Sequence, residues 1–197
     1  MMDVGKFVTD QIYNTPNSAA WLIKAAAMIG QHEIKGAQHN PEILRMWKDS
    51  YLSGVKDDET AWCAAFACAS LERVGEKSPR NWAALSFKDW GCNAAPGPGE
   101  TPWLGTVAVY SRGSGQGHVG FVVGVDARGR YLVLGGNQGD SVSVAALPAL
   151  GQTGRGLTCV ALRLPWWCGR IGNGTGVRCA VLPQASAAVE LGAEAVA

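Results

Sequence analysis

The chain has 197 residues, a formal net charge of +1, and only 17% charged against 47% apolar residues, which fits one globular domain with a buried core and at most a small appendage. The near-neutral balance gives no electrostatic drive toward nucleic acid or an anionic membrane. No apolar run approaches the ~18 residues that a membrane-spanning helix needs. The first eighteen residues lack the basic, apolar and small-residue order of a secretory signal, so any action outside the cytoplasm is expected to use another route.

Residues 1–17 read as a loosely attached arm. Asn17 or Ser18 is placed to cap a first helix running through Ile29 and stopped by Gly30. Asn40-Pro41 starts a second, with Asn40 at the N-cap and Pro41 at the first helical position, ending near Ser50. A third helix is predicted from Ala61 to about Val74, behind the acidic run Asp57-Asp58-Glu59, whose charges suit its N-terminus. A short fourth spans Trp82 to Trp90. After a Gly/Pro-rich loop over 92–105 come strand-like runs at 106–110, 118–125, 131–135, 141–145 and 158–164. Helices followed by strands are the order of an α+β domain. Residues 18–165 form the predicted domain, and 166–197 a C-terminal extension.

The six cysteines are Cys63, Cys68, Cys92, Cys159, Cys168 and Cys179, and their spacing matches no zinc pattern. Cys63 and Cys68 fall on one helix about 140° apart around its axis, so they should not bridge. Cys168 and Cys179 flank a glycine-rich loop and are the expected disulfide. The tail beyond it has no turn chemistry.

Cys63 sits in the first turn of the third helix. Free backbone N–H groups and the helix dipole there favour a thiolate and could hold an oxyanion. Cys63, Phe66, Ala67, Ser70, Leu71 and Val74 share one predicted inward face. In the hairpin that follows, alternation puts His118, Gly120, Val122 and Gly124 on one face. A four-residue turn, Asp126 to Gly129, would pair Val125 with Arg130 and set His118 opposite Asn137. The glycines at 120, 124 and 135 leave that face open to a closely packed helix. A thiol, an imidazole and an amide that orients it make a nucleophilic constellation.

The stretches IGQHEIKGAQHNPEI, DDETAWCAAF, WAALSFKDWG, GQGHVGFVVG and LVLGGNQGD run in this order over residues 21–165. Together they resemble the CHAP-like branch of the NlpC-type peptidoglycan peptidases. The resemblance implies a papain-like α+β fold, with N-terminal helices packed on a small antiparallel sheet. It implies a cysteine-dependent amidohydrolase in which Cys63 attacks an amide, His118 is the base and Asn137 orients the imidazole. Many CHAP domains place a Glu just before that Asn; here the position reads Gly135, which leaves Asn137 as the orienting residue. Glu33 and Asn40 in the N-terminal motif, with Trp62 and Gln138, are assigned to substrate binding. No cofactor and no metal are expected. The implied partner is peptidoglycan, cut as an endopeptidase or as an N-acetylmuramoyl-L-alanine amidase in the cell wall or periplasm. A phage lysin or a secreted antibacterial effector would fit, with a pore-forming release partner or an immunity protein respectively. Two other readings stay open: a thiol acyltransferase or deamidase on a protein amide, and a non-catalytic wall-binding or phage structural module.

Overall fold

The structure is a computed structural model that describes residues 4–15, 19–166 and 181–182. The first helix is one that the sequence reading missed. Residues expected to form a loose arm build α1 (Val4–Asn14), and its Val8 and Ile12 are buried in the core. Four residues apart, they lie on one face of that helix. Helix α2 (Ala20–Ala26) stops short of the predicted end, and the chain turns through Gly30 at φ +88°. Helix α3 (Pro41–Asp49) starts as predicted: the Asn40 side chain accepts the Glu42 N–H at 2.8 Å.

Helix α4 (Cys63–Glu72) is shorter at both ends than expected, and every residue from Cys63 to Leu71 is buried. It therefore has no outward face along that stretch, unlike the one-sided pattern predicted for it. A short helix of small and apolar residues can be wrapped on all sides in this way. Helices α2 and α3 pack against it from one side, and the sheet from another. A 3-10 helix (Ala84–Asp89) replaces the predicted fourth helix.

The strands are β1 (Cys92–Asn93), β2 (Val107–Gly113), β3 (Gln116–Asp126), β4 (Tyr131–Gly135), β5 (Ser143–Leu147), β6 (Thr153–Gly154), β7 (Leu157–Leu164) and β8 (Val181–Leu182). They form one sheet in the order β1-β7-β2-β3-β4-β5, with β6 beside β7 and β8 beside the end of β3. All pairs are antiparallel except β3–β8, so the expected antiparallel sheet carries one parallel pair. The architecture is α+β, helices packed on a sheet, and is compatible with the papain-like arrangement. Among the described residues no helix is long and apolar enough to cross a membrane. Cys63, Cys68 and Cys159 are free and buried, while Cys92 is disulfide-bonded. The expected Cys168–Cys179 pair lies outside the described residues.

Two hairpins set the site. Strands β2 and β3 run further than predicted and meet in a two-residue loop, Ser114-Gly115, with φ of +50° and +79°. Positive φ at both positions is the turn whose twist suits a tight hairpin. Between β3 and β4 the turn is one residue longer than predicted. Val125 pairs with Tyr131, not Arg130, and Asp126 N–H donates to Arg130 O. The register then shifts between Val122 and Gly124, so that Val122 still faces Val133 and Phe121 faces Leu134. The longer turn and the bulge cancel, and the predicted register holds beyond them.

Candidate active site

Cys63 is the first residue of α4, with Trp62 at the N-cap. No side chain caps this end. Asp58, expected to serve the helix N-terminus, instead accepts the N–H groups of Ile34 and Asn40 and the Nδ1 of His39, at 2.8–2.9 Å. Burial pushes the Asp58 pKa up, but these bonds outweigh it and hold it at about 2. Asp58 is therefore a carboxylate clamp on the loop before α3. Trp62, wholly buried, is fixed by its indole N–H, which donates to Glu33 Oε1 at 2.8 Å. Burial raises the Glu33 pKa, the Trp62 bond lowers it, and the charges of Asp140, Asp58 and Glu59 raise it further.

Cys63 is 6% exposed. Burial raises its pKa, against the opposing pull of the Val119 and Ala64 backbone and the Arg112 charge. The helix-start effect expected to favour a thiolate is present but is overcome by desolvation. At rest Cys63 is a thiol, so a nucleophilic role would require a base.

His118 on β3, the residue expected to serve as base, is 2% exposed. Burial lowers its pKa to about 4; the bond to Gln138 pulls the other way, and the Arg112 charge adds to the lowering. At neutral pH the imidazole is uncharged and able to accept a proton. Its Nε2 lies 3.0 Å from Gln138 Oε1. The Gln138 amide nitrogen donates to Ser143 O at 2.6 Å and to Val133 O at 3.3 Å, which fixes the amide with its oxygen toward the imidazole. Nε2 must then carry the hydrogen, and Nδ1 is left as the basic nitrogen.

The orienting contact predicted for Asn137 is thus made by its neighbour. Strand β4 ends at Gly135, and Asn137 sits at φ +54° in the turn that follows. The strand alternation used to place Asn137 opposite His118 has already stopped there. The turn carries the Gln138 side chain back under the strand end, where it is 1% exposed. Gly135 leaves the room: a Cβ there would lie 2.8 Å from Gln138 Oε1 and 3.0 Å from His118 Nε2.

Cys63, His118 and Asn137 line one cavity of about 400 Å³, together with Trp82, Arg112 and Gln116. The four residues assigned to substrate binding do not. Gln138 and Trp62 are buried behind the site. Asn40 caps α3 and donates to His32 O and Gln31 Oε1. Glu33 holds Trp62. The residues missed were Arg112, Gln116 and Trp82. Carrying the β2–β3 strands through the Ser114-Gly115 turn would have put the first two beside His118. Trp82 is 66% exposed, and it carries no signal in the sequence beyond being aromatic. Among the described residues no group of three or more His, Cys, Asp or Glu side chains is placed to hold a metal ion.

A buried thiol at a helix start, a neutral imidazole and an amide that fixes its tautomer can perform acyl transfer by nucleophilic attack. Residues 55–137, from the approach to α4 through His118 to Asn137, match the CHAP domain family model. CHAP domains are typically amidases or peptidases, and peptidoglycan is the substrate that the family indicates. No curated protein and no solved structure matches the chain.

Proposed function

We propose that the protein is a peptidoglycan hydrolase that cuts an amide bond by cysteine nucleophilic catalysis. The observation that carries this reading is the shared cavity. Cys63 and His118 line it from two different elements, and Gln138 holds the imidazole from behind. His118 Nδ1 takes the thiol proton as the Cys63 sulfur attacks the carbonyl carbon. The oxyanion forms where the free N–H groups of the first turn of α4 point. His118 then returns the proton to the leaving amine as the C–N bond breaks. Water, activated by the same imidazole, hydrolyses the thioester and restores the thiol. Asn137, Gln116 and Trp82 line the cavity and are placed to contact substrate. The place of action follows from the substrate, the cell wall or periplasm, and both a phage lysin and an antibacterial effector would act there.

Digestion of purified peptidoglycan followed by mass spectrometry of the fragments tests the reading and names the bond. The native protein should release muropeptides, and Cys63→Ala, folded by circular dichroism, should release none. Equal release by the two proteins would rule the mechanism out.

A further inference from the structure

Arg112 lies in an interruption of the β2–β3 ladder. Ser111 pairs with Gly117 and Gly113 with Gln116, and the register shifts between them, leaving Arg112 without a cross-strand partner. Such bulges bend a strand and re-aim a side chain. Here the side chain lines the cavity that also holds Cys63, His118 and Asn137. Its charge acts on both the thiol and the imidazole. Its Nε is buried and has no hydrogen-bond partner, and among the described residues no carboxylate pairs with the guanidinium. A guanidinium half-withdrawn from water, with a buried donor unused, is costly unless something brings an acceptor to it. Its planar fork suits a carboxylate held by two parallel bonds.

We infer that Arg112 is a substrate-binding residue that takes a free carboxylate flanking the scissile amide. The inference rests on the proposed function and narrows it. The sugar–peptide amide joins two residues whose own carboxyl groups are both tied up in amides. Stem-peptide residues linked through a side chain, or lying at the chain end, do carry free carboxylates. Arg112 therefore favours cleavage within the stem peptide over cleavage of the sugar–peptide bond.

Two measurements test this separately from the hydrolase reading. The first is alkylation of Cys63 by iodoacetate and by iodoacetamide, located by mass spectrometry. The first reagent carries a carboxylate, the second a neutral amide of nearly the same size. Any change in thiol pKa or fold affects both alike, so the ratio of rates reports on the anion site. The ratio should fall about tenfold in Arg112→Met and less in Arg112→Lys, because a charge-assisted bidentate contact is lost in the first and the charge alone is kept in the second. An unchanged ratio in Arg112→Met would overturn the anion site. The second is turnover of synthetic stem peptides with their carboxylates free or converted to primary amides. The native protein should prefer the free acids about tenfold, and Arg112→Met should not. Equal turnover of both by the native protein would overturn the substrate assignment even if the alkylation ratio moved. If the native protein cleaved neither peptides nor peptidoglycan, the hydrolase reading and the substrate assignment would both fall, and the alkylation ratio would still decide the anion site.

Discussion

Two adjacent residues, Asn137 and Gln138, exchange the parts that alternation along a strand would give them. Asn137 faces the cavity, and Gln138 holds His118. The two should separate kinetically. Gln138→Ala removes the partner that fixes the imidazole tautomer, so kcat should fall, about tenfold or more, though less than in His118→Ala, where the base itself is gone. Asn137→Ala leaves the His118–Gln138 bond intact and should act mainly on KM. Steady-state kinetics on one defined muropeptide would show it, and a kcat loss in Asn137→Ala larger than in Gln138→Ala would contradict this assignment. The low pKa of His118 gives a second expectation. An imidazole titrating near the ordinary 6.5 would switch the enzyme off in mild acid. With a pKa of about 4, His118 stays a base well below pH 6, and the acid limb of kcat/KM in the free enzyme should lie near that lower value. The same shift reduces stability in acid. Between pH 6.5 and 4 the unfolded chain binds a proton that buried His118 does not, so stability is greatest above 6.5 and falls as the pH drops through that window. The span of about 2.5 pK units corresponds to roughly 3 kcal/mol. Urea unfolding at pH 7 and pH 4.5 should show the drop, and His118→Gln should reduce the difference.

At the scale of elements, the β3–β4 pairing shows what a sequence can and cannot specify. Alternation and a loop with glycine at its end, Gly129 at φ +76°, were enough to find the hairpin and to align Val122 with Val133. Neither the fifth turn residue nor the bulge beside Val123 has a distinct sequence mark; the turn is held by Asp126. Its buried carboxylate accepts the N–H groups of Arg128 and Arg130 and pairs with the Arg130 guanidinium at 2.7 Å. The glycine-lined face was legible, but not which glycine meets the cysteine helix. A Cβ on Gly120 would strike Val133 and Leu134 of the neighbouring strand, whereas one on Gly136 would sit 2.6 Å from both Phe66 Cβ and Trp62 Cζ3. Gly136 is therefore where α4 comes down on the sheet. Neither of those atoms can swing aside, one being next to the backbone and the other in a ring that is buried and hydrogen-bonded. Gly136→Ala should displace the first turn of α4, lower activity at least tenfold and cost about 1–3 kcal/mol in overpacking. Gly54→Ala, at an exposed glycine with nothing near its Cβ position and no positive φ, serves as a surface control. A Gly136→Ala protein with native activity and melting temperature would show that α4 does not depend on that contact.

On the scale of the whole molecule, the family segment and the folding unit are not the same. Residues 55–137 bring Cys63 and His118, yet they stop one residue before Gln138. They also exclude β5, which pairs along the whole of β4, and β7, which lies between β1 and β2. On the helical side they leave out α1, α2 and α3, whose Ile12, Trp21, Leu22, Ile43, Met46 and Trp47 are all 2% exposed or less. The loop that carries Gln138 is itself held from outside the segment. Gly30 N–H donates to Val142 O, Val142 N–H to Gln31 O, and Glu33 N–H to Asp140 O. The proposed catalytic pair is thus supplied by the middle of the chain, while its burial and its orientation are supplied by both flanks. A segment cut to 55–137 would expose β2 and β4 as open edges and strip α4 of the helices around it, leaving too little buried apolar surface to offset the ordering of the chain. It should show no cooperative thermal transition and no thiol hydrolase activity. A shorter cut makes the finer test. Removing residues 1–15 deletes Val8 and Ile12 from the core, and the loss of two buried aliphatic side chains with their helix should cost several kcal/mol and lower the melting temperature by roughly ten degrees, on the order of 2–4 °C for each kcal/mol in a domain of this size. The site residues would all remain, so activity at low temperature should survive in proportion to the folded fraction. If the truncated chain melted at the native temperature, α1 would be the loose arm that its sequence first indicated.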